Sequence, residues 1–157
     1  MKIYLAGGMH SGWQDILIDW FDKFTFIDPR SHRLTDPREF TEWDMNGIRT
    51  ADLVFAYLER SNPSGLGLAL EVGYAVGLNR SVFLVDEKRD RYADILRAAS
   101  HKWFDGFADG LRFLDKMHET YLDLLSSPVK MSLSLDLKEE VRFPTSEGEI
   151  PPYIDLL

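Results

Sequence analysis

Cysteine is absent from this 157-residue chain. That excludes disulfides, thiolate nucleophiles and thiolate metal sites. Histidine is scarce: His10, His32, His101 and His118 are scattered, with no H-x-x-x-H or comparable spacing. No metal site is expected from such a set. Basic residues are in deficit, 18 Lys and Arg against 26 Asp and Glu, for a formal net charge of −8. Nucleic-acid backbones and anionic membranes call for basic patches, so neither is an expected partner. A small nucleoside or nucleotide ligand is not excluded by that charge. No apolar run approaches the length of a membrane span. The N-terminus opens directly into a strand-like segment rather than a signal peptide, and a cytoplasmic protein is the expectation. The phosphate-loop pattern G-x-x-x-x-G-K-[ST] is missing. Gly65 and Gly67 form G-x-G, but the next glycine, Gly73, comes too late for a dinucleotide fingerprint. No cofactor is expected.

What is present is enough apolar material for a real core, with 45% hydrophobic and 13% aromatic residues. The length fits one domain. Lys2 to Ala6 reads as a short buried strand that stops at Gly7-Gly8. Ser11 is the expected N-cap of a helix from Gly12 to about Phe24, with Trp13, Ile16, Leu17, Trp20, Phe21 and Phe24 at helical spacing. Phe26-Ile27 is a candidate second strand, ended by Asp28-Pro29, and residues 30–38 read as a polar loop. A helix is expected over 39–50, a strand over 52–58, a turn at 61–65 and a strand over 81–85. Strands alternating with helices at this spacing indicate a parallel sheet covered on both faces. The expected fold is α/β, a single-domain Rossmann-like (flavodoxin-like) sheet. Beyond Asp86 the pattern weakens to a short helix over 91–100 and a longer one over 107–126. We therefore divide the chain into an α/β unit, residues 1–127, and an extended C-terminal arm, residues 128–157, that packs on its own domain or on a neighbouring subunit.

Glu71 is the most informative residue. It is the only charged side chain between Ser64 and Asn79, in a helical stretch that is apolar nearly all round. Such a helix is buried on most sides. A carboxylate there is costly unless it is paired, hydrogen-bonded or open to a cavity. Burial and neighbours can also tune it for chemistry. The plainer alternative is a Glu that escapes to solvent at the helix edge.

In open α/β sheets ligands bind outside the carboxyl ends of the strands. Gly7 and Gly8 follow the first strand there and let the backbone approach a ligand closely. The turn carrying Asn62, Ser64, Gly65 and Gly67 precedes the Glu71 helix and offers free N–H groups at a helix start. Asp44 is a second carboxylate, near the middle of a helix before a core strand. Asp52 opens that strand, where an Asp commonly serves a cap or turn. Tyr4 alternates with Ile3 and Leu5 on the first strand, and an isolated Tyr of this kind is usually a core residue with its hydroxyl satisfied.

Three segments together resemble the nucleoside 2-deoxyribosyltransferase family. They are Ile3-Tyr4-Leu5-Ala6-Gly7-Gly8, then Asp44-Met45-Asn46-Gly47-Ile48-Arg49-Thr50-Ala51-Asp52, then Gly65-Leu66-Gly67-Leu68-Ala69-Leu70-Glu71-Val72-Gly73-Tyr74-Ala75. The likeness covers about residues 1 to 86, and the Gly-rich turn followed by Glu-x-Gly-Tyr-Ala is its most specific part. It implies that Glu71 is the nucleophile, that Asp44 handles the base and its proton, and that Tyr4 holds the nucleophilic carboxylate. It also implies 2′-deoxynucleosides and free nucleobases as ligands, and a homo-oligomer with shared sites. The chain departs from the pattern in places. Gly65 stands where many members carry an Asp six residues before the nucleophile, with Ser64 the best substitute for contacts to the sugar. The Asn and Met that members place over the 5′ end of the sugar have no match after residue 90. The family's C-terminal Tyr has none at Leu157, and Tyr153 is the nearest tyrosine.

The chemistry agrees with those roles. Cleaving an N-glycosidic bond needs a carboxylate at the anomeric carbon and a proton donor at the leaving base. Retaining glycosidases solve a similar problem with two carboxyl groups. The apolar side from Leu66 to Val76 and the first helix, with Trp13, Trp20 and Phe21, are expected to wall the site. Two alternatives remain at this point. One is a 2′-deoxynucleoside 5′-phosphate N-hydrolase, for which Pro63-Ser64 resembles a phosphate contact. The other is a nucleotide-sensing α/β module without catalysis, since fold alone does not settle function.

Overall fold

The computed structural model describes residues 1–63 and 65–126, with side chains through residue 122. Ser64, the predicted arm over 128–157 and Tyr153 lie outside the described residues. Five parallel strands form one sheet in the order β2-β1-β3-β4-β5. They are β1 (Lys2–Gly7), β2 (Thr25–Ile27), β3 (Leu53–Leu58), β4 (Ser81–Asp86) and β5 (Lys102–Phe104). The helices are α1 (Trp13–Trp20), α2 (Pro37–Thr50), α3 (Leu66–Gly77), α4 (Asp94–Ala99) and α5 (Phe107–Ser126). This is the expected flavodoxin-like α/β arrangement.

Alternation along the strands sorts the core into two halves. Tyr4, Ala6, Val54, Ala56, Val82 and Leu84 face Ile48 of α2, Leu68, Val72 and Ala75 of α3, and Leu96 of α4. Ile3, Leu5, Phe55, Phe83 and Val85 face Trp13 and Leu17 of α1 and Leu114 of α5. β3 is buried at every position, as a central strand covered on both faces must be. The helix after β1 thus crosses to one face and the helix after β3 to the other. The crevice between their carboxyl ends is the switch point where open α/β sheets bind ligands.

Several boundaries differ from expectation. The N-cap of α1 is Gly12, left-handed at φ 75°, and not Ser11. The helix stops at Trp20 because Phe21 turns extended. Phe21 and Phe24 still reach the core, packing on His118, so their helical spacing continues past the helix itself. α2 begins at Pro37, capped by the Asp36 carboxylate, which accepts from the Arg38 and Glu39 amides. Proline is well placed at the first helical position, where no N–H is needed. β5 was not anticipated: it is a three-residue edge strand, half exposed, with no apolar alternation to announce it.

Gly47 fixes how α2 sits on the sheet. A Cβ there would stand 2.9 Å from two carbons of the Tyr4 ring and 3.1 Å from Ile27 Cγ2. The bare glycine lets α2 lie directly on the Tyr4 ring. Alanine in mid-helix gains about 1 kcal/mol of propensity over glycine, but overpacking costs about 1–3 kcal/mol. Gly47→Ala is therefore expected to lose about 1 kcal/mol in urea denaturation, the difference of those two effects. A variant more stable than the parent would contradict this packing.

Candidate active site

Tyr4 is fully buried, yet its hydroxyl has a polar destination. It donates to Glu71 Oε1 at 2.8 Å, joining the middle of β1 to α3. Asp44 comes to the same place from α2 and is buried, 8% exposed. It lies one helical turn before Gly47, so the glycine that admits the Tyr4 ring also sets the Asp44 side chain above it. Two carboxylates and one phenol, drawn from three elements, thus share one water-poor spot. Glu71 itself is half-buried.

The electrostatics follow from that crowding. Burial, the Asp44 carboxylate beside it and the opposing Tyr4 hydrogen bond leave the Glu71 carboxyl pushed up to about 8. Burial also raises Asp44, against the Tyr4 hydroxyl and His32, which favour its anion. The Tyr4 hydroxyl is driven far upward by burial and by both carboxylates, so it stays a donor. Neither carboxyl readily gives up its proton while the other is ionised, because like charges this close resist joint ionisation.

The other predicted residues fall into place unevenly. Gly7 ends β1 at φ 146°, and a Cβ there would lie 2.5 Å from the Tyr57 carbonyl oxygen of β3. Its bareness thus serves the contact with the neighbouring strand. The Gly8 carbonyl accepts from Trp13 Nε1 at 2.8 Å and from Gln14 Nε2 at 3.0 Å. A Cβ on Gly8 would meet Glu59 Oε2 at 2.7 Å. Asn62 Oδ1 accepts from the Gly65 amide at 2.9 Å, which closes the turn into α3. Gly65 is the left-handed N-cap of α3, φ 73°. Gly7, Gly8, Asn62 and Gly65 therefore gather at the carboxyl ends of β1 and β3, while Gly67 has open space where its Cβ would be. Asp52 is structural at its backbone contacts: its Oδ2 accepts from the Lys2 amide at 2.7 Å and its own amide donates to the Lys2 carbonyl at 2.9 Å.

One expectation is overturned. α1 does not wall the Tyr4, Asp44 and Glu71 cluster, because Trp13 and Phe21 pack on the opposite face of the sheet. Trp20 is 59% exposed, its indole donating to Asp115. Trp13 contributes only at the crevice, through Gly8. Leu66 and Leu70 are also exposed, so the outer side of α3 faces away from the cluster. Nearby stands a residue that sequence reasoning passed over, His32, whose Nε2 lies 3.9 Å from Asp44 Oδ1. A lone histidine in a polar loop carries no pattern that would have singled it out. No group of three or more metal-ligating side chains occurs among the described residues. No helix among them is long and apolar enough to cross a membrane.

The raised Glu71 carboxyl makes a stability prediction independent of activity. An acid whose folded value lies above its ordinary 4.5 binds its proton more tightly when folded. The stability this adds is fully present below pH 4.5 and is lost as pH rises through about 8. Glu71→Gln, which cannot ionise, is expected to melt near the parent in acid and several degrees above it at pH 9. A melting-temperature difference that stays constant across that range would contradict the burial of this carboxylate.

Comparison with known proteins places the chain. A search of curated protein sequences finds no match. Among solved structures, the 2-deoxyribosyltransferase of Bacillus psychrosaccharolyticus is similar at 22% identity and TM-score 0.58, over 69% of this chain and 89% of that one. A CMP N-glycosidase of Clostridium botulinum is similar at 18% identity and TM-score 0.57, over 74% and 99%. A 2-deoxyribosyltransferase of Leishmania mexicana follows at 17% identity and TM-score 0.53, over 74% and 98%. At these identities the likeness is one of fold. The family model described as nucleoside 2-deoxyribosyltransferase matches residues 3–133, most of the sequence. The chain belongs to the nucleoside 2-deoxyribosyltransferase family, whose members are enzymes of the deoxyribosyltransferase and N-glycosidase kind.

Proposed function

We propose that the protein moves a 2-deoxyribosyl group from one nucleobase to another through an ester of Glu71. The observation that carries this reading is the Tyr4 hydroxyl donating to Glu71 at 2.8 Å with Asp44 buried in the same cluster. Tyr4 occupies Oε1 and leaves Oε2 as the attacking oxygen. That oxygen bonds to the anomeric carbon as the bond from that carbon to the base nitrogen breaks. The electron pair goes to the base, which takes a proton from Asp44. In the second half, a nitrogen of the incoming base attacks the same carbon, the ester bond breaks and its pair returns to Glu71. Asp44 recovers the proton from the incoming base. The ligands are a 2′-deoxynucleoside and a free nucleobase, and no cofactor takes part.

The charges suit that sequence. The competent state needs Glu71 ionised and Asp44 protonated, one proton for two carboxyls. Burial keeps the pair from losing both protons at neutral pH. The Tyr4 hydrogen bond, together with the positive charge developing on the sugar, draws the anion to Glu71. A ribonucleoside is a poorer substrate in this reading. Its 2′-hydroxyl crowds the Glu71 carboxylate and disfavours the developing charge.

The test follows products by chromatography from a 2′-deoxynucleoside, with and without a second free base. Exchange is expected to outrun hydrolysis, with ping-pong kinetics. Glu71→Ala is expected to lower the rate by several orders of magnitude in a folded protein. The exchange rate is expected to fall on the alkaline side near pH 8, where the pair loses its last proton. Free deoxyribose appearing equally fast with or without acceptor would overturn the transferase reading. Preference for 5′-monophosphates in that outcome would identify the N-hydrolase, with Ser64 as the residue to examine at the phosphate.

A further inference from the structure

His32 and Asp44 present each other with the two unpartnered ends of an unmade hydrogen bond. Asp44 Oδ1 and His32 Nε2 are both fully buried and neither has a hydrogen-bond partner. They face each other at 3.9 Å, beyond a hydrogen bond but within about 1 Å of one. Buried polar atoms are paired in the great majority of cases, so two orphans pointing at one another call for an account.

The imidazole is held from its other sides. The Leu34 amide donates to His32 Nδ1 at 2.8 Å. With that nitrogen accepting, the ring proton belongs on Nε2, the atom that faces Asp44. The Trp43 ring packs edge-on against the imidazole, centroids 4.9 Å apart. Trp43 precedes Asp44 on α2, so one helix supplies both the buttress of the ring and the acceptor of its proton. The loop that carries His32 is anchored in turn. Asp28 caps its first turn by accepting from the Arg30 amide, and the Arg30 guanidinium spans Asp28 and Asp15 of α1. The donor therefore sits on a fixed mount, one short movement from its acceptor. In ligand-free sites such bonds are often long and tighten in the reacting complex.

We propose that His32 is a positioning residue whose Nε2–H donates a hydrogen bond to Asp44 Oδ1 and turns the other oxygen of that carboxyl toward the leaving base. The role rests on the transferase reading of Asp44 given above. The groups that face Asp44 are His32 from the loop after β2, Tyr4 from β1 and Glu71 from α3. Of these His32 is the one whose contact with Asp44 is not shared with the nucleophile. Losing it leaves the nucleophile and its tyrosine in place and loosens only the proton-transfer arm. The loss is therefore selective: it falls on substrates whose base needs a proton to leave.

Two measurements test this on the intact protein. The first compares base release from deoxynucleosides with good and poor leaving bases in the parent, His32→Gln, His32→Phe, Asp44→Asn and the His32→Phe/Asp44→Asn double variant. His32→Phe is expected to slow the poor leaving base roughly tenfold, a share of what a general acid supplies, and the good one little. His32→Gln, which keeps a donor, is expected to recover most of the loss. In the Asp44→Asn background, His32→Phe is expected to add no further loss. Equal slowing of both substrates, or an additive double variant, would show that His32 only supports the fold. The second measurement is NMR titration of the Asp44 side-chain carboxyl carbon, which needs no activity. In His32→Phe it is expected to titrate at higher pH than in the parent, and in His32→Gln close to it. An unchanged Asp44 titration in His32→Phe overturns the proposal even if every variant is inactive. A shifted titration in a protein that neither transfers nor releases bases would keep the contact and refute only the reaction assigned to it.

Discussion

A phenol lodged beneath a helix and aimed at a carboxylate on the next helix is the constraint around which the site is built. Tyr4 belongs to the core by every measure of burial, and its ring fills the space that Gly47 leaves open. Its hydroxyl cannot reach water, so it must find an acceptor. Glu71 is that acceptor, and the bond in turn makes room for a carboxylate on a helix that is otherwise apolar. Remove the glycine and α2 lifts; remove the hydroxyl and Glu71 loses the contact that favours its anion. Packing and chemistry thus depend on the same few atoms.

The parallel sheet makes this economical. Because alternate residues of a strand face opposite sides, Ile3 and Leu5 hold α1 and α5 while Tyr4 turns toward α2 and α3. The aromatic face, with Trp13, Phe21, Phe55 and Phe107, stiffens the sheet from behind and leaves the polar cluster alone. The two sides meet at the carboxyl ends of β1 and β3, where Trp13 and Gln14 hold the Gly8 carbonyl. A rigid support on one face and a small polar cluster on the other is the arrangement that precise positioning requires.

Much of this was legible in the amino-acid order, for identifiable reasons. β1, β3 and β4 are buried apolar runs with turn residues at their ends, and α5 shows a clear apolar side; both signals are local. Glu71 stood out because its neighbours along the helix are all uncharged. Edges and caps were harder. β5 is short and half exposed, and residues 30–38 read as a polar loop although Asp36 caps a helix that starts at Pro37. The walls of the site were misplaced because helical periodicity says that α1 has an apolar side, but not which face of the sheet it covers. His32 was invisible for a similar reason: its meaning comes from Asp44, twelve positions away along the chain and adjacent only once α2 lies on the sheet.

The central claim is that Glu71 becomes covalently attached to the sugar. It is tested most directly by quenching the enzyme in acid during turnover of a 2′-deoxynucleoside without acceptor base, then mapping peptides by mass spectrometry. A deoxyribosyl adduct is expected on the peptide that contains Glu71, lost when a free base is added before the quench. Release of base with no adduct at Glu71, or an adduct on another residue, would contradict it.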